Sequence, residues 1–147
     1  MVLTIIILSA GCLGTEEPDV FYGDDIEPAV AVDEFVLVDE NGEYVSFTQF
    51  EGKVVVVSFL FTRCPDICPV VSANLAYIVE ELGERHGTEV QILTITVDPW
   101  TDNSSVLRDY ASTRGLGWPH LTGGLDDLEP VWMNFDVGLT TYDSDVD

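Results

Sequence analysis

The run Val54-Val-Val-Val-Ser-Phe-Leu-Phe61, followed at once by Cys64-Pro-Asp-Ile-Cys68-Pro69, leaves this chain few folds to choose from. Eight residues that are nearly all apolar, half of them β-branched, suit a strand covered on both faces. Proline lacks an N–H and fits the first position of a helix, which puts Cys68 at or beside the N-cap and Cys64 in the loop before it. Val71, Leu75, Ile78, Val79 and Leu82 recur at helical spacing, so the helix is predicted from about Pro69 to Leu82, ahead of Gly83. A second strand-like stretch, Glu89 to Val97, ends at Asp98-Pro99. Strand, helix and strand in this order predict a βαβ unit with parallel strands and a right-handed crossover. Sites in such sheets lie at the carboxyl ends of the strands, where both Cys64 and Asp98 fall. The helix dipole, with Arg63 beside it, is expected to favour thiolate at Cys64.

The flanking segments fit an α/β domain. Phe35–Val38 and Tyr44–Phe47 enclose Asp39-Glu-Asn-Gly-Glu43, a hairpin signal because Asn and Gly both tolerate positive φ. Ser104 or Ser105 is expected to cap a helix running to about Thr113, with Gly115 beyond its end. Trp118 to Gly124 reads as a turn-rich connector, Leu125 to Phe135 as a third helix, and Gly138 to Tyr142 as the start of another strand. Leu13 to Glu34 is acidic, holds Pro18 and Pro28, and shows no periodicity, which is the pattern of a tether before a domain spanning 35–147.

Charge excludes one class of function. Against five Lys and Arg stand 27 Asp and Glu, a net charge of −22, which repels nucleic acid and anionic headgroups. Such a surface is also expected of a protein kept hydrated in high salt, one whose fold loosens when salt is removed. The third cysteine, Cys12, closes the short apolar stretch Met1 to Gly11. That stretch is too short to span a bilayer and resembles a lipoprotein signal, with residues 1–12 as the signal or anchor and Cys12 as the lipidated residue, although Ser9 stands where the pattern wants an aliphatic residue and no basic start precedes it.

Two thiols at a CxxxC spacing can form a disulfide, exchange with other disulfides, or hold a soft ion such as Cu(I); zinc asks for four ligands. His86 and His120 read as structural, Asp98 as a turn former before a function, Asp66 as a carboxylate offered to the helix N-terminus, and Trp100, Trp118 and Trp132 as core or cleft wall. No phosphate-binding glycine loop, zincin histidine pair or serine-nucleophile elbow is present.

Phe59-Leu-Phe-Thr-Arg-Cys64-Pro-Asp-Ile-Cys68-Pro69, Val97-Asp98-Pro99 with Asp102, Leu107-x-x-Tyr110 and Leu121-Thr-Gly123, in that order, resemble the Sco/SenC family from about Phe35 onward. These are thioredoxin-like copper proteins that serve assembly of cytochrome c oxidase. The resemblance implies a thioredoxin-like fold with an N-terminal hairpin, the βαβ core and further helices. It implies copper as the metal and Cys64 and Cys68 as ligands, joined in the family by a later histidine in an Asp-His-Ser/Thr motif. Here the sequence given ends at Asp145-Val-Asp147, one residue short of that histidine. The expectation is therefore a truncated product, lacking the last strand and helix, whose gene encodes His next. The implied function is a lipid-anchored metallochaperone on the outer face of the cytoplasmic membrane, delivering copper to the dinuclear CuA site of cytochrome c oxidase subunit II. The alternative is a thiol-disulfide oxidoreductase that reduces that subunit's cysteines, Cys64 attacking and Cys68 resolving, with other copper or thiol-redox proteins as partners.

Overall fold

A computed structural model describes residues 23–24 and 26–138. Contacts divide the chain into a unit ending at Val30 and one beginning at Ala31. The described residues of the first unit carry no helix or strand and are exposed.

The second unit is built on the expected βαβ element. Strand β3, Val54–Leu60, lies parallel to β4, Val90–Thr96, in unbroken register from Val54 opposite Val90 to Leu60 opposite Thr96. The helix α1, Ile67–Leu82, makes the crossover. Every residue of β4 after Val90 is buried, because β4 is flanked on both sides and covered on both faces. Strand β3 is only half-buried, and among the described residues it pairs on its β4 side alone.

The segment read as a connector after Gly115 contains a strand. His120–Leu121, β5, pairs parallel with Thr94 and Ile95 of β4. Two residues carry too short a pattern to show period-two alternation, so the turn residues around them dominated the reading. The N-terminal hairpin, β1 (Val36–Val38) and β2 (Tyr44–Ser46), joins this edge: Val38 and Thr122 exchange backbone hydrogen bonds of 2.8 Å each. Its turn is not the two-residue type suggested by Asn-Gly. Gly42 has φ of +85° while Asn41 stays at negative φ, and the Asp39 carboxylate accepts from the amides of Asn41 and Glu43 at 2.8 Å each. Asp39 thus closes a longer loop in which only glycine takes the left-handed position.

Helix α2, Ser104–Arg114, is capped one residue earlier than expected: the Asn103 side chain accepts from the amides of Ser105 and Val106. Gly115, at φ +67°, ends it as the sequence implied. Helix α3, Leu125–Asn134, buries Leu128, Val131 and Trp132 against β1, β4 and β5. A second core, on the α1 and α2 side, joins Leu60, Ile92, Leu75, Tyr110 and Trp118 to both cysteines. The segment expected as a strand from Gly138 to Tyr142 lies outside the described residues after its first residue.

His120 is fully buried between these layers. Its ring stacks on Trp118 at 5.6 Å, tilts against Tyr110 at 6.2 Å, and holds its Nδ1 proton on the Trp118 carbonyl at 2.8 Å. Nε2 has no hydrogen-bond partner among the described residues. Burial pushes the imidazole pKa below its ordinary 6.5, partly opposed by the Trp118 carbonyl and by Glu40. The unfolded chain therefore binds this proton more readily than the fold does, and stability falls as pH drops below about 6.5. Denaturant melts at pH 7.5 and pH 5, compared between the wild type and His120→Phe, are expected to show a smaller acid loss in the variant. Equal losses would show that His120 does not carry the effect.

Candidate functional site

The site forms where β3 ends. Apolar side chains hold that strand in the sheet up to Leu60, and the chain then turns through Thr62 and Arg63 before α1 begins at Ile67. The helix starts two residues earlier than Pro69 alone suggested, so Cys68 and Pro69 occupy its second and third positions. Proline is tolerated there because first-turn amides have no intrahelical acceptor.

Those first-turn amides converge on Cys64. The Cys68 N–H donates to Cys64 Sγ at 3.4 Å, and the sulfur itself stands where a capping side chain would. Asp66, expected to offer its carboxylate to the helix, makes no capping bond, and its own amide is turned toward Cys64. Both cysteines are free thiols and both are buried, 9% exposed for Cys64 and 6% for Cys68.

Their acidities are driven apart. Cys64 is lowered from its ordinary 9.0, first by the Cys68 thiol hydrogen-bonded to it, then by the amides of Cys68 and Asp66. Cys68 is raised, first by burial, then by its hydrogen bond to Cys64. The pair is therefore split in acidity, with Cys64 the more acidic sulfur and Cys68 the less. Arg63 is not the cause. Its guanidinium pairs with Asp98 at 2.9 Å, the arginine side chain being 68% exposed and the aspartate 17%.

Asp98 sits at the end of β4, where it was expected, and works as a turn former: its carbonyl accepts from the amides of Thr101 and Asp102. Asp102 enters the sequence reading only as part of the family resemblance, which assigns it no role there. It is completely buried, and its carboxylate accepts from the Thr62 amide at 3.0 Å, from the Thr62 hydroxyl, and from the Thr96 hydroxyl at 2.7 Å. Asp102 thereby ties the cysteine loop to the end of the neighbouring strand. The signal for it was its place in the motif after Val97-Asp98-Pro99.

Trp118 and Trp132 are buried as expected and donate to the Thr94 hydroxyl and the Thr96 carbonyl. Trp100 is 76% exposed and so is neither core nor wall. His120 makes its one polar ring contact with Trp118, and His86 lies at the far end of α1, beyond Leu82. Among the described residues no third His, Cys, Asp or Glu completes a metal-holding group with the two sulfurs. Cys12 lies outside the described residues. No helix among them is long and apolar enough to cross a membrane.

Comparison with known proteins gives a consistent picture. A family model described as SCO1/SenC matches residues 23–147. The chain is 34% identical over 107 residues to "Protein SCO2, mitochondrial" of Saccharomyces cerevisiae, covering 73% of this chain and 36% of that protein. It is 33% identical over 129 residues to "SCO2-like protein RT0576" of Rickettsia typhi, covering 84% and 61%. The chain spans between 36% and 61% of the length of the first curated relatives that it matches. Among solved structures it is similar to Bradyrhizobium japonicum ScoI with copper bound, with a TM-score of 0.69, 26% identity, and coverage of 79% of this chain and 75% of that one. It is also similar to yeast Sco1 with copper bound, at TM-score 0.65 and 31% identity, covering 71% and 66%. A third likeness is to BsSco, described with a disulfide switch, at TM-score 0.64 and 27% identity, covering 75% and 67%.

Proposed function

Because this chain belongs to the SCO1/SenC family, we propose that it is a copper metallochaperone whose cargo is held by Cys64 and Cys68. The observation that carries the reading is the paired thiols at the α1 N-terminus, with Cys64 lowered and Cys68 the proton donor beside it. Thiolate sulfur selects Cu(I) over hard cations, and a ligand pair at the junction of a loop and a helix can be exchanged one sulfur at a time. Relatives of similar fold are described with copper bound, which supports the same cargo here.

The acceptor is the CuA site of cytochrome c oxidase subunit II, and the protein works outside the cytoplasmic membrane, held by a lipid on Cys12. The acidic surface is suited to high salt, where screening relieves its self-repulsion.

Anaerobic titration of the fully reduced protein with Cu(I), read by competition with a chromophoric chelator, tests the cargo. One tightly held Cu(I) per chain is expected, abolished when the thiols are alkylated. Uptake that ignores alkylation overturns the assignment of the site.

A second reading rests on the split acidity of the pair. A thiolate next to a proton-bearing thiol is the arrangement of a dithiol that attacks a disulfide with one sulfur and resolves with the other. Reduction of an acceptor disulfide converts Cys64 and Cys68 to a disulfide and delivers two electrons and two protons. Turnover with a reductant and no copper favours this reading. Tight copper binding without turnover favours the first.

A further inference from the structure

His120 is a buried titratable group that the cysteine chemistry does not use, and its ring is only half satisfied. Nδ1 is bonded to the Trp118 carbonyl, while Nε2 is buried with no partner among the described residues. In the neutral ring Nε2 is an idle acceptor. In the imidazolium it becomes a second donor, carrying charge, with nothing to receive its proton.

The surroundings offer that charge little compensation. Alternation along β5 sends Leu121 into the core shared with α3 and His120 toward α2. From α2 the ring meets the Tyr110 phenol, whose hydroxyl is engaged with Ser72 and whose ring carries the Arg114 guanidinium at 3.9 Å, a cation that opposes another. Arg108 and Asp109 of the same helix are exposed, and β4 has no charged side chain from Val90 to Thr96. The hairpin supplies the one anion that favours the imidazolium: Glu40, whose Oε2 accepts from the His120 amide at 2.9 Å. Asp39 beside it is held by the amides of Asn41 and Glu43.

The segment that carries the ring is lightly held. β5 pairs two residues with β4, and the hairpin reaches it through Val38 and Thr122 and through Glu40. β3 and β4 are paired over seven residues. An edge with so few bonds opens at lower cost than the sheet behind it.

We propose that His120 makes this edge an acid-released latch: when Nε2 takes up a proton, Trp118–Thr122 and the Glu40 end of the hairpin part from β4 and the imidazolium reaches water, while the βαβ unit stays folded. Burial holds the ring's pKa below 6.5 in the closed form, so the open form binds the proton more readily and acid favours opening. The latch stands independently of the copper reading.

Hydrogen exchange on the full chain, followed amide by amide at pH 7.5 and pH 5 and corrected for intrinsic rates, tests it. The reporters are the amides of Val38, Thr122 and Thr94, which are bonded to Thr122, Val38 and Pro119 across the edge; amides inside the β3–β4 ladder are the reference. Protection at the reporters is expected to fall about tenfold at pH 5, below a ceiling of about 30-fold for an open ring of ordinary pKa, while the reference holds. His120→Gln and His120→Phe, neutral at both pH values, are expected to remove the fall. Glu40→Gln keeps an acceptor for the His120 amide but takes away the charge that favours the imidazolium in the closed form, so it is expected to deepen the fall toward the ceiling. No fall in the wild type, an equal fall in the ladder, a wild-type fall in either His120 variant, or one that Glu40→Gln leaves unchanged or makes smaller would each overturn the latch.

Discussion

On the copper reading, Cys64→Ser and Cys68→Ser are each expected to lose copper more completely than any substitution outside the pair. A changed outer partner of a metal site costs about 10–100-fold in affinity, and removing a sulfur ligand exceeds that. Cu(I) prefers thiolate, and a serine hydroxyl offers neither the softness nor the acidity to replace it. The two cysteines are not equivalent in the rest of their behaviour. Cys64→Ser removes the sulfur on which the α1 amides converge and, with it, two of the causes that raise Cys68, but burial, the largest cause, remains, so the remaining thiol stays less acidic than Cys64 was and reacts more slowly with alkylating agents. Cys68→Ser keeps the amides around Cys64, which still holds a lowered pKa but loses the first of its causes. Chelator competition on both variants, with alkylation rates followed against pH, checks this. Equal thiol reactivity in the two would show that the asymmetry of the pair is not real.

The second large effect is expected at Asp102. Asp102→Ala strips the Thr62 amide and two threonine hydroxyls of their shared acceptor in a fully buried place. Each buried donor left unmet costs about 1–3 kcal/mol, and the relief of removing a buried charge offsets part of the sum, so a net loss of about 2–4 kcal/mol is expected. Asp102→Asn keeps one acceptor oxygen but turns an amide toward groups that also donate, and should fall between Ala and the wild type. Because Thr62 leads directly into the cysteine loop, copper affinity is expected to fall as well, by about 10–100-fold. The Asp102 charge is the least of the causes that hold the Cys68 pKa up, after burial and Cys64, so either variant moves that thiol slightly downward. Urea melts and chelator competition on the same samples measure both effects. Wild-type stability and affinity in Asp102→Ala would remove the carboxylate from any part in holding the loop.

The elements legible in the sequence were those whose pattern is long. Val54 to Phe61 reads as a strand, and the helical spacing from Val71 to Leu82 fixed the crossover and its end at Gly83, while Ile78 of that spacing is 42% exposed and Cys68 and Ser72 are buried in the inward face. The cysteine pair was visible for the same reason, since the strand and helix on either side dictate where it stands. The thioredoxin-like fold, which solved Sco structures share, was carried by the order of short motifs.

What could not be read depends on contacts made at a distance. Arg63 lies next to Cys64 in sequence, yet its charge goes to Asp98, whose strand end is adjacent only in the folded sheet. The role of Asp102 did not show in its motif because its partners, Thr62 and Thr96, come from two other segments. β5 escaped because two residues carry no period of their own, and pairing with β4 alone makes them a strand. Trp100 shows the opposite failure: a large aromatic side chain is usually inside, and only the turn at Asp98 turns this one out.

The convergence of α1 amides on Cys64 bears on how fast cargo can leave. A sulfur that lets go of a metal ion ordinarily waits for water or a proton, and that wait is a barrier. Here the Cys68 amide stands 3.4 Å from the sulfur, already aimed at it, so the departing ligand exchanges one stabilising neighbour for others without the loop moving. On the copper reading, hand-over is then paced by the arrival of the acceptor, while the grip between encounters is set by both sulfurs together. A tight hold and a quick release need not oppose each other in such a site, because they are governed by different atoms.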